Sequence, residues 1–399
     1  MKFKLSKKQE EISLGLIENF KNGKNALLHA VTGAGKTELS YGVIEYALSL
    51  KKHVGFALPR VDIVIDLLPR FKQDFKDAKV IGVYGGNHEK LEGDIIILKK
   101  ERLLYLDLIK LVAVIMVFTI HFTRTLEYAQ INFTTHVLPD TLFGMYLGSY
   151  GVTLFFIVSG AVLMYIYGDK EIDLSSYYKK RFLGIYPMFW LAFAIFFIAK
   201  EIVYPGFAKG INHGTFLFTL LGIDGQVGVY TGTYYLLGEW FLTVIIIMYL
   251  IFPFLKKLVL SHPVWTFIIF TLATIASAFN WFDCYLAVDA YFFHRIPEIL
   301  FGMIFIQYFK KTRWYMLIPS LAVLAVLGIF DFPNMNKIVQ IWLVGYSSFI
   351  VLAFVFSFLK GKIVEFISHF IDRFCYPIFL THHIIMLTFI TKFALGRTF

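Results

Sequence analysis

The sequence predicts a two-part chain, with a partial α/β lobe over residues 1–98 and an all-α polytopic membrane bundle over residues 99–399. The chain has 399 residues, is 58% hydrophobic and holds 44 Phe, more than a soluble globular domain usually carries. Charge is concentrated at the start, with 29 charged residues in the first 100 positions and 37 in the other 299. Apolar segments long enough to cross a bilayer recur from residue 103 onward. These observations place the boundary between the parts near residue 99.

The first lobe is organised around a glycine-rich loop that follows a short apolar run over residues 26–30. Gly33, Gly35, Lys36 and Thr37 then open a predicted helix. In this arrangement glycines let backbone N–H groups approach an anion, and the helix N-terminus adds positive potential. Lys36 is expected to reach terminal phosphates and Thr37 a magnesium ion. A simple glycine turn before a helix remains the alternative.

Strands predicted over residues 53–58, 79–84 and 94–98 alternate with helical stretches and indicate a parallel sheet. The segments AVTGAGKTE, ALPRVDIVIDLLPRF and VYGGNHEKLEGDIIIL resemble the opening of the late-competence (ComFA-type) superfamily-2 DNA helicases. That resemblance implies that Lys36 and Thr37 bind MgATP and that residues 59–62 contact DNA.

The lobe departs from that family in three respects. It has no acidic pair after an apolar strand, no second ATPase lobe and no four-cysteine zinc module. ATP hydrolysis and DNA translocation are therefore not expected, and DNA is not an expected partner. The lobe is expected to be either a weak nucleotide-binding module or a truncated remnant of a gene fusion or assembly error. Cys284 and Cys375 lack metal-ligand spacing, so no metal site is predicted.

The second part is predicted to cross the cell membrane nine times. Fifteen Lys and Arg residues flank the ends that would face the cytoplasm and six flank the other ends, which predicts a cytoplasmic N-terminus. The lipid bilayer is thus an expected partner of a multi-pass membrane protein. The predicted spans are residues 103–122, 144–167, 183–204, 234–255, 263–280, 291–309, 314–330, 338–359 and 376–395.

Three ionisable residues lie within the first predicted span: Asp107, Lys110 and His121. Such groups are costly in hydrocarbon and are usually functional. The eleven-residue step from Lys110 to His121 returns both to nearly one helix face, about 16 Å apart along the axis. A polar stripe along a span suggests a site reachable from both sides, as transport or a reaction across the bilayer would require. A structural pair between Asp107 and Lys110 is the alternative.

A second resemblance covers almost all of residues 99–399. The segments LDLIKLVAVIMVFTIHF, GVTLFFIVSGAVLMY, YYKKRFLGIYPMFW, GEWFLTVIIIMYLIFP, HRIPEILFGMIF and CYPIFLTHHII resemble, in order, the integral-membrane acyltransferase family 3. The family body has ten spans, one more than predicted for this chain. The resemblance implies transfer of an acyl group, often acetyl, from cytoplasmic acyl-CoA to a hydroxyl of an extracytoplasmic polysaccharide or lipid-linked sugar.

That family carries a basic residue, ten intervening positions and a histidine in its first helix. Lys110 and His121 occupy those positions, with Lys where Arg is more usual. The resemblance implies that His121 is catalytic and takes the proton from the attacking hydroxyl. Lys110 would hold a donor phosphate or a developing oxyanion, without the bidentate geometry of Arg.

Five further residues are predicted to bind substrate, each with a structural alternative. Arg181 would attract CoA phosphates at a cytoplasmic entrance, or would only anchor the topology. Arg295 and Glu298 belong to a family segment, but lie one turn apart and could simply pair. Glu239 and Trp240 begin a span, where Trp is common as an interfacial residue.

His382 and His383 are adjacent, so at most one is expected to line a cavity.

Two other functions remain open. A transporter of saccharide or lipid would show an internal repeat of spans, which the sequence lacks. A competence-type DNA motor would need the acidic motif and the second lobe.

Overall fold

The computed structural model describes the chain in two compact units, Met1–Arg102 and Leu103–Phe399. The described residues are 5–23, 36–58, 61–84, 87–88, 93–99, 103–131, 138–203, 205–206, 209–228, 230–234, 236–237, 239–281 and 290–390.

The first unit is an α/β lobe with a four-stranded sheet in the order β1-β4-β2-β3. Strand β4 pairs in parallel with both β1 and β2, and β3 is antiparallel to β2. The predicted strands over 53–58, 79–84 and 94–98 therefore form and pair in parallel. Its elements are α1 (Lys7–Lys21), α2 (Lys36–Ser49), β1 (Val54–Leu58), α3 (Val61–Asp74), β2 (Val80–Tyr84), β3 (Asn87–His88) and β4 (Ile95–Lys99).

Helices α2 and α3 are joined by polar contacts beside a small apolar core. The Tyr41 hydroxyl donates to Asp74 at 2.9 Å, and Arg70 pairs with Glu38 at 2.8 Å. Burial, reinforced by Asp74, raises the pKa of the Tyr41 phenol above its ordinary value. The aromatic ring of Phe71 is fully buried between these helices and the sheet. The lobe thus has its own core.

The second unit is almost entirely helical. A two-stranded hairpin, β5 (Thr141–Leu142) with β6 (Met145–Tyr146), precedes its second helix. The helices are α4 (Leu104–Tyr128), α5 (Leu147–Tyr167), α6 (Leu174–Val203), α7 (Phe216–Leu221), α8 (Asp224–Val227), α9 (Glu239–Ser261), α10 (Pro263–Ala276), α11 (Ile296–Ile304), α12 (Trp314–Ile329), α13 (Lys337–Ser357) and α14 (Lys362–Phe389).

Among the described residues, five helices are long and apolar enough to cross a membrane: α4, α5, α6, α9 and α13. The predicted count of nine spans is therefore not confirmed. Helices α10 and α12 have only 14 and 16 residues, and α11 has nine between a 3₁₀ turn and a π turn. Helix α14 has 28 residues but carries charged side chains in its first half.

Helix α5 is the centre of this unit, with 89% of its most apolar 18-residue stretch buried. It packs on α4, α11 and α13. Close approach is possible because glycines stand at the crossings: a Cβ at Gly160 would overlap the carbonyl oxygen of Ile299, and one at Gly302 the carbonyl oxygen of Ile157. Small residues at crossings allow this kind of backbone contact between membrane helices. The α5–α11 pair is thus fixed by backbone sterics.

We expect Gly302→Ala to lower the free energy of unfolding by about 2–3 kcal/mol, because the new methyl group forces α11 away from α5. Thermal unfolding in detergent measures the change. Gly184→Ala in α6 is the matched control, since no atom lies within 4 Å of the added Cβ. Equal stability of both variants would show that the crossing is not tight.

Candidate functional site

A cavity of about 420 Å³ lies between α4, α6, α9 and α14. Most of its wall is apolar and aromatic, including Trp240, Phe241 and Phe379. Three imidazoles also line it: His121 from α4, and His382 and His383 from α14. A largely apolar cavity with a few converging polar groups is the usual form of a small-molecule site.

The imidazoles converge because α4 and α14 run parallel in a fixed register. Asp107 contacts Ser368 near the start of both helices, and His121 lies beside His382 further along. Both pairs are separated by fourteen residues along their helices, nearly four turns, so they lie on the same face of each helix. The His121 ring centroid is 5.1 Å from that of His382 and 5.2 Å from that of His383.

The prediction that at most one of His382 and His383 lines a cavity is wrong. Adjacent helical side chains diverge by about 100°, but the cavity is wide enough to be bordered by both. The His382 Nδ1 atom lies 2.8 Å from the carbonyl oxygen of Phe379 and 3.1 Å from that of Ile378. The sequence offered one signal for this cluster, namely two polar rings within an apolar helix.

Lys110 lies outside this cavity and is paired with Asp107. Its Nζ atom is 3.5 Å from Asp107 Oδ1, and the Ser368 hydroxyl donates to Asp107 Oδ2 at 2.6 Å. The two side chains are 17% and 7% exposed, so the pair is largely shielded. The structure therefore contains the Asp107–Lys110 pair that the sequence left open. A role for Lys110 in donor binding stays a prediction.

Arg181 is held within a group of tyrosines. Its guanidinium lies over the rings of Tyr167, Tyr177 and Tyr249 at 5.4, 5.5 and 5.1 Å, and donates to the Tyr167 hydroxyl at 3.0 Å. Such cation–π contacts hold the side chain between α5, α6 and α9. These interactions with tyrosines do not test whether Arg181 binds CoA phosphates, so that role stays a prediction.

Arg295 and Glu298 form a fully buried ion pair. Arg295 Nη1 donates to Glu298 Oε1 at 2.7 Å, and the Thr153 hydroxyl bonds to the same carboxylate oxygen at 3.2 Å. The guanidinium also lies 5.5 Å from the centre of the Phe156 ring. These contacts link α5 to α11, and neither charged residue lines the cavity with the imidazoles. Substrate binding by this pair stays a prediction.

The structure places Trp240 in the cavity wall. The side chain of the neighbouring predicted residue, Glu239, is outside the described part. Gly33 and Gly35 also lie outside the described residues, as does the side chain of Lys36. Thr37 is in the first turn of α2, where its carbonyl oxygen accepts a hydrogen bond from the Ser40 hydroxyl at 2.6 Å. The predicted phosphate loop therefore stays a prediction.

A second cavity of about 170 Å³ adjoins the first. The two share Leu237, Phe241 and Phe379 in their walls. The second cavity extends to Tyr249, whose ring contacts Arg181. Apolar space thus borders α9 and α14 from the imidazoles toward the tyrosine group. Within the described ranges, no group of three or more His, Cys, Asp or Glu side chains is arranged to hold a metal ion.

Comparison with known proteins assigns the second unit. A family profile described as an acyltransferase domain matches residues 103–398, about three quarters of the chain. The chain belongs to acyltransferase family 3. The match and the apolar helices together identify a membrane acyltransferase. No solved structure is significantly similar to this acyltransferase.

The N-terminal part of the acyltransferase is similar to other proteins. Residues 2–120 match a family described as the res subunit of type III restriction enzymes. The chain is 41% identical over 87 residues to competence protein ComFA of Bacillus subtilis, covering 22% of this chain and 19% of the relative. It is 43% identical over 67 residues to ComFA of Streptococcus pneumoniae, covering 17% and 16%. Both resemblances predicted from the sequence are confirmed, and the chain spans less than a fifth of these curated relatives.

We expect Asp107→Ala to reduce the free energy of unfolding by about 2–3 kcal/mol, because it leaves the shielded Lys110 ammonium without its carboxylate. Replacing both residues, as Asp107→Leu with Lys110→Met, should recover most of the loss. Thermal unfolding of the purified acyltransferase measures both effects.

The Arg124–Glu127 pair is the matched control. It has the same three-residue spacing on α4, a distance of 2.6 Å, and side chains 44% and 37% exposed. Glu127→Ala should cost less than about 1 kcal/mol. A cost for Asp107→Ala no larger than for Glu127→Ala would contradict the shielded pair.

Proposed function

We propose that this protein is an O-acyltransferase that moves an acetyl group from cytoplasmic acetyl-CoA to a hydroxyl of an extracytoplasmic polysaccharide or lipid-linked sugar. The family match supports acyl transfer in general. The observation that carries the finer proposal is the position of His121, an imidazole at an aromatic-lined cavity toward one end of a long apolar helix.

In the proposed reaction, His121 takes the proton from the acceptor hydroxyl as its oxygen attacks the thioester carbonyl. The new carbon–oxygen bond forms, the carbon–sulfur bond breaks, and the thiolate of CoA takes the proton back from the imidazole. Nothing else is consumed. The larger cavity, which His121 lines, and the smaller cavity that adjoins it together supply space for the two reactants.

The proposed orientation follows from the distribution of Lys and Arg, which favours a cytoplasmic N-terminus. Helix α4 then enters from the cytoplasm, with Lys110 in the inner half and His121 near the outer face. The thioester would arrive from the inner side along the second cavity, past Tyr249 and Arg181. Arg181 and Lys110 are the proposed contacts for the anionic part of CoA.

The acceptor is proposed to bind in the larger cavity. Trp240 and Phe241 present broad apolar faces there, which suit the C–H faces of a sugar ring, while the imidazoles supply polar contacts. A glycan or a lipid-linked sugar fits this combination.

The N-terminal lobe is proposed to bind MgATP weakly and not to drive acyl transfer. Similarity to ComFA covers less than a quarter of this chain and about a fifth of that relative. Thioester cleavage already supplies the free energy for ester formation, so the reaction needs no nucleotide.

We expect His121→Ala to lower acetyl transfer at least about 100-fold, the usual contribution of a general base. Purified protein in lipid vesicles is supplied with radiolabelled acetyl-CoA and an acceptor glycan, and labelled ester is counted. His262→Ala, at the N-cap of α10, is the control and should match the unsubstituted protein. Full activity of His121→Ala would rule out the proposed base.

Lys36→Ala is expected to keep transfer within about twofold of the unsubstituted protein, because the phosphate loop is not part of the acyl-transfer step. The same vesicle assay, with and without MgATP, measures it. A loss as large as that of His121→Ala would mean that nucleotide binding is coupled to transfer.

A further inference from the structure

His382 is the most enclosed imidazole of the cavity, with 9% of its surface exposed. The sequence pattern assigns it no catalytic or binding role. It lies on α14, one residue before His383, and its ring centroid is 5.1 Å from that of His121. Its hydrogen bonds determine what it can offer to a ligand.

The contacts of Nδ1 fix the tautomer of His382. Nδ1 faces the carbonyl oxygens of Phe379 and Ile378, which can only accept hydrogen bonds. Nδ1 therefore carries the proton and donates. In the neutral ring, which burial favours, Nε2 then holds a lone pair and can only accept.

Nε2 of His382 is buried and has no hydrogen-bond partner within the part of the chain that the structure describes. A buried acceptor without a donor is destabilising, and native structures normally supply one. The ring lines the cavity, so a ligand hydroxyl is a suitable donor.

We propose that His382 Nε2 accepts a hydrogen bond from a second hydroxyl of the acceptor, next to the hydroxyl whose proton His121 takes. The separation of the two rings allows one ligand to touch both. The enzyme should therefore prefer acceptors with neighbouring hydroxyls, such as sugars, to alcohols with a single hydroxyl. This inference rests on the proposed function and assigns His382 to acceptor binding.

The test uses trans-1,2-cyclohexanediol and cyclohexanol as acceptors, which differ by one hydroxyl on a ring the size of a pyranose. The full-length protein in vesicles, with radiolabelled acetyl-CoA, should show kcat/KM about tenfold higher for the diol, as expected for one hydrogen bond to a buried acceptor. His382→Asn keeps a donor near Nδ1 but has no atom at Nε2. It should lose the preference, with the KM of the diol rising about tenfold relative to the KM of cyclohexanol.

His382→Gln can place an amide oxygen near the Nε2 position and should retain part of the preference. Thr381→Val is the matched control, since it removes a similar side-chain bond to a backbone carbonyl, that of Pro377 at 2.9 Å, outside the cavity. A diol preference that survives in His382→Asn would overturn the inference and leave the proposed function intact. Transfer to neither alcohol by the unsubstituted protein would overturn both.

Discussion

The parallel packing of α4 against α14 is the constraint on which the candidate site depends. The buried contact from the Ser368 hydroxyl to the Asp107 carboxylate is one of the contacts that fix how far one helix is shifted along the other. A shift by one helical turn would separate the Ser368 hydroxyl from that carboxylate, and the loss of a buried hydrogen bond is costly in an apolar setting. The same register brings His121 and His382 together. The polar contact near one end of the helix pair and the imidazole contacts further along thus belong to the same register.

The rest of the unit divides into a tightly packed part and a more open part. Helix α5 has 89% of its most apolar 18-residue stretch buried. It is fixed to α11 by the close backbone contacts at Gly160 and Gly302 and by the hydrogen bond from Thr153 to the Arg295–Glu298 pair. Helix α6, on the other side of the cavity, has only 22% of its most apolar 18-residue stretch buried. The cavity with the imidazoles lies at the border between these parts. The cavity is therefore bordered by closely packed helices on one side and by a peripheral helix on the other.

Local patterns in the sequence predicted what depends on a single element. The three parallel strands of the first lobe were located within one residue because apolar runs alternate with helical stretches, whereas the two-residue strand β3 was not predicted. The spacing of Lys110 and His121 correctly placed both on one helix. It could not show that Asp107 pairs with Lys110 or that the Ser368 hydroxyl of α14 donates to the same carboxylate.

Features that depend on the packing of two elements were missed, because a local sequence pattern describes one element at a time. The imidazole cluster requires α14 to lie beside α4, and no local periodicity encodes that pairing. The predicted count of nine spans is not confirmed, since α10 and α12 are short and the apolar run around α11 is broken by 3₁₀ and π turns. Hydropathy counts apolar residues, whereas hydrogen-bond geometry decides where one helix ends.

The equal fourteen-residue spacings on α4 and α14 have a consequence for how this protein can vary. An apolar residue between Asp107 and His121 can be exchanged for another of similar volume without moving either end. One inserted or deleted residue, however, would rotate His121 by about 100° around the helix axis and turn its ring away from α14. Related chains should therefore differ freely in composition along this stretch of α4 but keep its length.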